Sequence, residues 1–403
     1  MSGRSRDAEA SQRLSIACII GFSCFFASYM RMPIVPLLAV SLGADAVQVG
    51  LVNGVFMITA CALSIPSGII SDRLGRRLPL LGGLLLLAGS SLLLFQSANL
   101  PQMALIYLFF GVGLSTFSPA LMAYVGDNTP PESRGRAFGW YTMAMYAGMT
   151  LGPAAGGFTA KALGLRPVFL AAGAVLFGMF LVALFFLPMQ DEQEPATAGT
   201  AAIFPSLRSL MGNRTLTACL VAVLSSCIGY GMFVTFMPLY LKELGMDTMQ
   251  VGLVFAAGAL TNTLSRPAAG RLCDRFRDRS TLVAAGLALF ALALAAFGVC
   301  RGMASFVASA ALMGIGMGMA YTVICTLIAE AVPREMRGLA VGCYNTCIYA
   351  GMLVSSVAMG PVVKAEGFRF AFFVNGALGA VVLLLFKLIY RRQPATAAHL
   401  SPV

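Results

Sequence analysis

Charge is what this chain has least of. Of its 403 residues only 11% are Asp, Glu, Lys or Arg, against about 25% in soluble domains. Histidine is scarcer still: the one His, His399, sits in a polar tail. The 16 acids all fall in loops or at the ends of apolar runs. A membrane-embedded enzyme needs a nucleophile with a base, or a metal set. A lone tail histidine and peripheral carboxylates assemble neither. No Gly-x4-Gly-Lys-Ser/Thr loop is present, "GLSTFSP" included, so ATP is not the direct energy source. The 10 Cys lie almost all inside apolar runs, without spacing suited to zinc or to a disulfide framework. They read as small core residues. The expectation is no cofactor, no metal and no enzymatic activity.

What is present is apolar sequence: 59% hydrophobic residues, with 43 Gly and 23 Met. A membrane span takes about 20 apolar residues. Twelve stretches qualify, at 14–42, 47–70, 78–96, 102–126, 137–163, 166–188, 214–242, 248–272, 280–300, 304–330, 338–364 and 368–390. The polar start "MSGRSRDAEASQR" leads into a first span too long for a signal-peptide core and lacking a cleavage pattern. Between spans 6 and 7 lies a polar segment with Pro, Gly and the acidic run "DEQE". The reading is an all-α membrane protein: tail 1–13, a six-helix half 14–188, linker 189–213, a second half 214–391 and tail 392–403.

Basic residues sort by side. Segments on the side of the termini hold 19 Lys or Arg; the opposite loops hold six, Lys161, Arg166, Lys242, Arg301, Lys364 and Arg369. That asymmetry places both termini in the cytoplasm. The net charge of +11 is then a topology signal plus attraction to anionic lipid heads. No soluble basic domain exists to carry a nucleic-acid role.

The halves repeat at an offset of 202 to 203. "QVGL" at Gln48 recurs at Gln250, and Pro36 as Pro238. "GIISDRLGRR" at Gly68 recurs as "GRLCDRFRDR" at Gly270, "PPESRGRAFG" at Pro130 as "PREMRGLAVG" at Pro333, and "GLRPVFLAAGA" at Gly164 as "GFRFAFFVNGA" at Gly367. Parallel six-helix repeats with a substrate site between them are one transporter architecture.

The loop Gly68-x-x-x-Asp72-Arg73-x-Gly75-Arg76-Arg77, with its partial copy at Gly270, Asp274, Arg275 and Arg279, resembles the signature of the major facilitator superfamily. The resemblance covers essentially the whole chain. It implies that Asp72 and Arg73 hold a cytoplasmic gate with an acid ending span 4, matched by Asp127 and in the second half by Glu330. Arg134 and Arg337, at equivalent places in the repeated loops after spans 4 and 10, are expected to belong to the same gate. Asp278 interrupts the second copy.

Span 5 carries Gly148-x-x-x-Gly152-Pro153-x-x-Gly156-Gly157. Glycines four apart share one face and leave a groove for a neighbouring helix, and Pro153 removes a backbone bond. This resembles the motif of the exporting, antiporter-type branches, drug efflux pumps above all. Two places depart from drug/proton antiporters: Tyr107 stands where span 4 carries an Arg, and Arg31 stands where span 1 often carries an acid. Both weaken the expectation of proton coupling and of cationic drugs.

Arg31 is the only charged side chain between Leu14 and Leu42. At the centre of a lone helix it would cost about 2.5–3.5 kcal/mol or more. It shares a stripe with Cys24, Ala27 and Ser28, so it points toward protein or a water-filled cavity, and either anchors substrate or braces the fold. Ser226 and Tyr230, Asn262 and Arg266, Thr322 and Thr326, and Asn345 and Tyr349 form further polar stripes. Candidate cavity residues are Arg31, Ser28, Tyr230, Asn262, Thr322, Asn345 and Tyr349. Arg266, close to the cytoplasmic end of span 8, is expected to stabilise the gate.

The expected function is secondary active transport by alternating access, exporting small organic or drug-like molecules by antiport. Its expected partners are a small-molecule substrate, membrane lipids and protons as coupling ion, with the protein acting as a monomer in a bacterial inner membrane. The alternative is a carrier for an organic anion, a carboxylate, phosphate ester or siderophore, bound through Arg31. Outside transport, the fold would suit a sensor or scaffold.

Overall fold

A computed structural model describes residues 3–64, 66–67, 70–71, 75–130, 133–187, 212–276, 278–333 and 336–390; for 3–10, Asp274, Arg337 and Gly338 it describes the backbone alone. Nearly all of the expected linker and the tail 392–403 lie outside the described residues. Regular structure among the described residues is entirely helical: α1 (Gly3–Arg31), α2 (Ile34–Ser41), α3 (Ala46–Leu63), α4 (Arg77–Phe95), α5 (Leu100–Asp127), α6 (Arg134–Leu163), α7 (Leu165–Phe186), α8 (Arg214–Glu243), α9 (Thr248–Arg275), α10 (Arg279–Phe297), α11 (Met303–Ala331) and α12 (Arg337–Ile389).

Helix count and membrane passages differ in two places, for backbone reasons. α1 and α2 make one passage broken at Met32–Pro33. Proline has no N–H to continue the ladder, and the Met32 N–H bonds Tyr29 O at 3.2 Å as the helix ends. α12 is two passages joined at Gly367, whose φ of 81° is the left-handed region open to glycine. Among the described residues nine helices are long and apolar enough to cross a membrane, one of them holding both arms of α12. α6 and α9, with 30 and 28 residues, are long enough but less apolar. Counting these two, and α12 twice, gives twelve passages, consistent with the sequence.

The repeat is written into the backbone. Gly43 (φ 89°) matches Gly245 (φ 80°), and Gly164 (φ 95°) matches Gly367. Asp45 and Asp247 each cap a helix N-terminus by accepting from the Gln48 or Gln250 N–H, and each donates its own N–H back to that Gln side-chain oxygen. Where Gly75 turns with φ 77°, the second half has Asp278 at φ −104°, which caps α10 by accepting from the Ser280 N–H at 3.2 Å. The turn is replaced by a cap, which accounts for the interrupted copy.

In the first half α1 packs on α6, and α4 on α5 and α7; in the second α8 packs on α12, and α11 on α9 and α10. The halves meet where α3 lies on α12 and α6 on α9. This fits the lower apolarity of α6 and α9: one face of each meets the other across the middle of the protein, while exposed apolar residues such as Leu151, Phe158, Leu260 and Leu264 form the outer face.

Candidate functional site

The small stripe of α1 faces into its own half. Arg31 is 1% exposed and Ser28 6%, with Cys24 and Ala27 fully buried beside them. Small side chains let neighbouring helices come close, so the stripe that looks like a cavity lining is a packing face. Arg31 Nη1 donates to Ser91 Oγ of α4 at 2.6 Å, and Ser91 Oγ itself donates to Leu87 O. The guanidinium carbon lies 3.5 Å from the Phe110 ring centroid and 5.6 Å from that of Tyr107, both on α5. Nε and Nη2 have no hydrogen-bond partner among the described residues. Arg31 also ends α1, where a helix dipole favours a cation. The expectation that Arg31 and Ser28 line the cavity is corrected: in this structure both are enclosed.

The opposite face of α1 takes their place. Tyr29 is half-buried and lies within electrostatic reach of Tyr146 (α6), Tyr230 (α8), Arg266 (α9) and Tyr349 (α12). Tyr146 in turn reaches Cys325 of α11, and Tyr344 of α12 reaches Tyr146 and Cys325. Cys325, with Tyr146 and Tyr344 of two other helices close to it, is nonetheless exposed. An enclosed side chain that keeps accessible surface lines an internal space. Six helices from both halves therefore converge on one space. Arg266 is half-buried in it, Nε donating to Asn262 Oδ1 at 3.1 Å and the guanidinium carbon 4.3 Å from the Tyr146 ring centroid. α9 runs on to Arg275, nine residues or about 14 Å past Arg266, which puts Arg266 deeper than its sequence position suggested.

Of the other candidates, Tyr230, Tyr349 and Asn262 belong to this cluster. Thr322 is half-buried, its hydroxyl donating to Gly318 O at 2.6 Å, and Asn345 is half-buried beside Tyr344. Tyr29, Tyr146, Tyr344 and Cys325 were not anticipated. Their stripes mix with apolar residues, and only the meeting of the halves singles them out. Ser226 is buried against the Tyr321 hydroxyl, 3.0 Å away within the second half.

The glycines of α6 bring the site's walls together. A Cβ at Gly148, Gly152 or Gly156 would sit 2.4, 2.6 or 1.9 Å from the carbonyl oxygens of Phe22, Phe26 and Met30 on α1. One at Gly157 would lie 2.4 Å from Thr248 O, and one at Gly252 of α9 would lie 2.3 Å from Pro153 O. One helix thus touches α1 on one side and the other half on the next.

Ion pairs mark the two ends. At the end carrying the termini, Arg76 Nε bonds Asp127 Oδ2 at 2.9 Å, and Arg279 pairs with Glu330. These are equivalent positions, and each pair stays within its half. Arg77 donates to Leu184 O at 2.7 Å. Arg134 is exposed, with a long 3.4 Å contact to Thr129 O, and Arg275 is exposed. The offset of 203 from Arg76 was the signal for Arg279. Gly68, Asp72 and Arg73, and the side chains of Asp274 and Arg337, lie outside the described residues. At the other end Lys161 bonds Asp247 at 2.7 Å and Lys364 bonds Asp45 at 2.8 Å. These pairs are also equivalent by the repeat, and both cross between the halves.

A model of the Major Facilitator Superfamily matches residues 17–299 and 219–403. The chain belongs to this superfamily. It is a multi-pass membrane transporter rather than an enzyme. It is 28% identical over 387 residues to "Multidrug resistance protein MdtG" of Proteus mirabilis, covering 92% of this chain and 94% of that one. It is 27% identical over 401 residues to the protein of the same name from Enterobacter lignolyticus, covering 96% and 94%. Among solved structures, the nucleoside transporter NupG superposes with a TM-score of 0.82 at 13% identity, over 95% of this chain and 100% of that one. A bacterial homolog to human lysosomal transporter Spinster superposes with 0.78 at 15% identity, over 94% and 97%. Major facilitator proteins are the setting in which the converging helices, the shared space and the paired ends belong together.

Proposed function

We propose that the protein is a secondary active exporter of small drug-like molecules that works by alternating access in a bacterial inner membrane. One observation carries the reading: a space lined by both halves is bridged at one end and not, among the described ion pairs, at the other. Lys161–Asp247 and Lys364–Asp45 tie the halves together beyond that space. Arg76–Asp127 and Arg279–Glu330 each lie within one half. With 19 of the basic residues on the side of the termini, that side is cytoplasmic, and the space takes its load from the cytoplasm. Relatives named for multidrug resistance support drug-like cargo and the outward direction.

The coupling ion is a proton, and its route is unusual. No carboxylate lies near the middle of a span. Asp127 and Glu330 at the cytoplasmic end, Asp72 in the loop after span 2, or the cargo itself must carry the charge. The chain acts as a monomer in contact with anionic lipid. The test is expression in a bacterium stripped of efflux pumps, with a drug panel, and uptake into inside-out vesicles with and without a pH gradient. Raised resistance and gradient-driven uptake are expected. Neither, from protein shown to be in the membrane, removes the exporter reading.

A further inference from the structure

Arg266 is the one charged side chain of the space among the described residues. Among the described residues no carboxylate lies within ion-pair distance of it. It bonds one side-chain oxygen, Asn262 Oδ1, through Nε. Its two terminal nitrogens donate to no described residue. The face of the guanidinium rests on Tyr146, which aims its edge and leaves the outer nitrogens free. Arg31 makes the contrast: its guanidinium is closed off by Phe110 and Ser91 and is 1% exposed. Arg266 keeps accessible surface.

A planar guanidinium held by one nitrogen and one face presents a fork that fits the two oxygens of a carboxylate, sulfonate or phosphonate. In a half-buried setting that bond is stronger than in water. Tyr29 and Tyr146 stand beside it, and Tyr230 and Tyr349 flank Tyr29 in turn; their rings suit a flat apolar body. Among the described residues of the space no carboxylate is present to pair with a cation. We propose that Arg266, oriented by Asn262 and Tyr146, is the anion-binding subsite of the transport cavity, and that preferred cargo is an amphiphilic organic anion with an aromatic body. This rests on the transport reading above and deepens it, moving the anion anchor from Arg31 to Arg266.

The test uses one ring with three head groups: naphthalene-2-sulfonate, the neutral naphthalene-2-sulfonamide and naphthalen-2-yl-trimethylammonium. Full-length protein, wild type, Arg266→Gln, Arg266→Lys, Asn262→Ala and Arg31→Gln, is purified in detergent for ligand-induced thermal shift and reconstituted for flux. Wild type is expected to bind the sulfonate about ten- to a hundredfold tighter than the sulfonamide, the range of a charge-assisted hydrogen bond. Arg266→Gln should abolish that preference yet still respond to the sulfonamide, which shows that it is folded. Arg266→Lys should restore only part of it, and Asn262→Ala should weaken it with the guanidinium still present. Arg31→Gln should keep it. A wild type that prefers the sulfonate while Arg266→Gln keeps the preference would overturn the subsite and leave transport standing. A wild type that prefers the trimethylammonium would overturn the anion class. A wild type that neither binds nor moves any of the three would overturn the subsite, and the transport reading falls only if the drug panel and the gradient-driven uptake fail as well.

Discussion

A guanidinium taken out of water must replace its hydration shell, and Arg31 and Arg266 do so differently. For Arg31 the replacements are one hydroxyl at 2.6 Å and one aromatic face at 3.5 Å. A charged hydrogen bond contributes about 1.5–3 kcal/mol and a desolvated cation–π contact about 2. Removing the ion from water costs several kcal/mol, so gain and cost nearly cancel. Arg31→Met, which keeps length and drops charge, is therefore expected to change stability by no more than about 1 kcal/mol. Phe110→Ala should cost about 3–5 kcal/mol, since it opens a cavity and uncovers the cation. Thermal unfolding of both variants in detergent checks this. A large loss in Arg31→Met would mean the charge holds a partner outside the described contacts. In the sequence, Arg31 showed itself as a buried charge on a stripe of small residues. Its partners did not, because Ser91 and Phe110 lie about 60 and 79 residues away and only folding brings them near.

At the scale of the helix, the spacing of glycines in α6 was legible and their partner was not. Spacing by four sets one face of any helix, so Gly148, Gly152 and Gly156 announced a close approach. That α1 fills it, with Met30 O 1.9 Å from where a Gly156 Cβ would stand, is a matter of packing. Gly156→Ala is expected to force α1 and α6 apart, lowering stability by about 1–3 kcal/mol in the manner of an overpacked core. Gly89 of α4 has nothing within 4 Å, so Gly89→Ala should be neutral or stabilising by up to about 1 kcal/mol through helix propensity alone. Thermal shifts for the two substitutions measured side by side decide it. Equal effects would show that propensity, and not the α1 contact, governs the glycine face.

For the whole molecule the matter is which end opens. Lys161–Asp247 and Lys364–Asp45 have side chains 39–63% exposed, so each is a weak tie that salt screens. Reversing both lysines, Lys161→Glu with Lys364→Glu, should favour the outward-open form. The reporter is Cys325, as the sole cysteine, labelled by a membrane-impermeant maleimide. In wild type it should react in inside-out vesicles and little in intact cells, and in the double variant the ratio should reverse. An unchanged ratio would relieve these pairs of the latch role. Acid acts in the same direction. The hydrogen bond from Lys364 holds the Asp45 carboxyl below its ordinary range, and Lys161, with Lys242 nearby, does the same for Asp247. Depressed carboxylates keep their pairs at neutral pH and lose them only as pH falls through the lowered value. Wild-type Cys325 labelling in intact cells, taken as a ratio to that of the double variant at the same pH so that thiolate ionisation cancels, should therefore stay flat near neutrality and rise only below the usual carboxylate range. A rise near pH 7 would point to another titrating group.

The sequence by itself determined what each residue and each span must do alone. Hydropathy, basic asymmetry, glycine spacing and a repeat at 202 to 203 depend on neighbours along the chain, and they carried the twelve passages, the family and the ends of the helices. The tertiary structure alone decided which face of a non-lipid helix meets its own half and which meets the other. Both faces of α1 avoid lipid, and both carry polar groups, so periodicity could not rank Arg31 against Tyr29. The choice was made by glycines on α6 and by an aromatic ring on α5, contacts between segments far apart in the chain, and it placed Arg266 rather than Arg31 in the space between the halves.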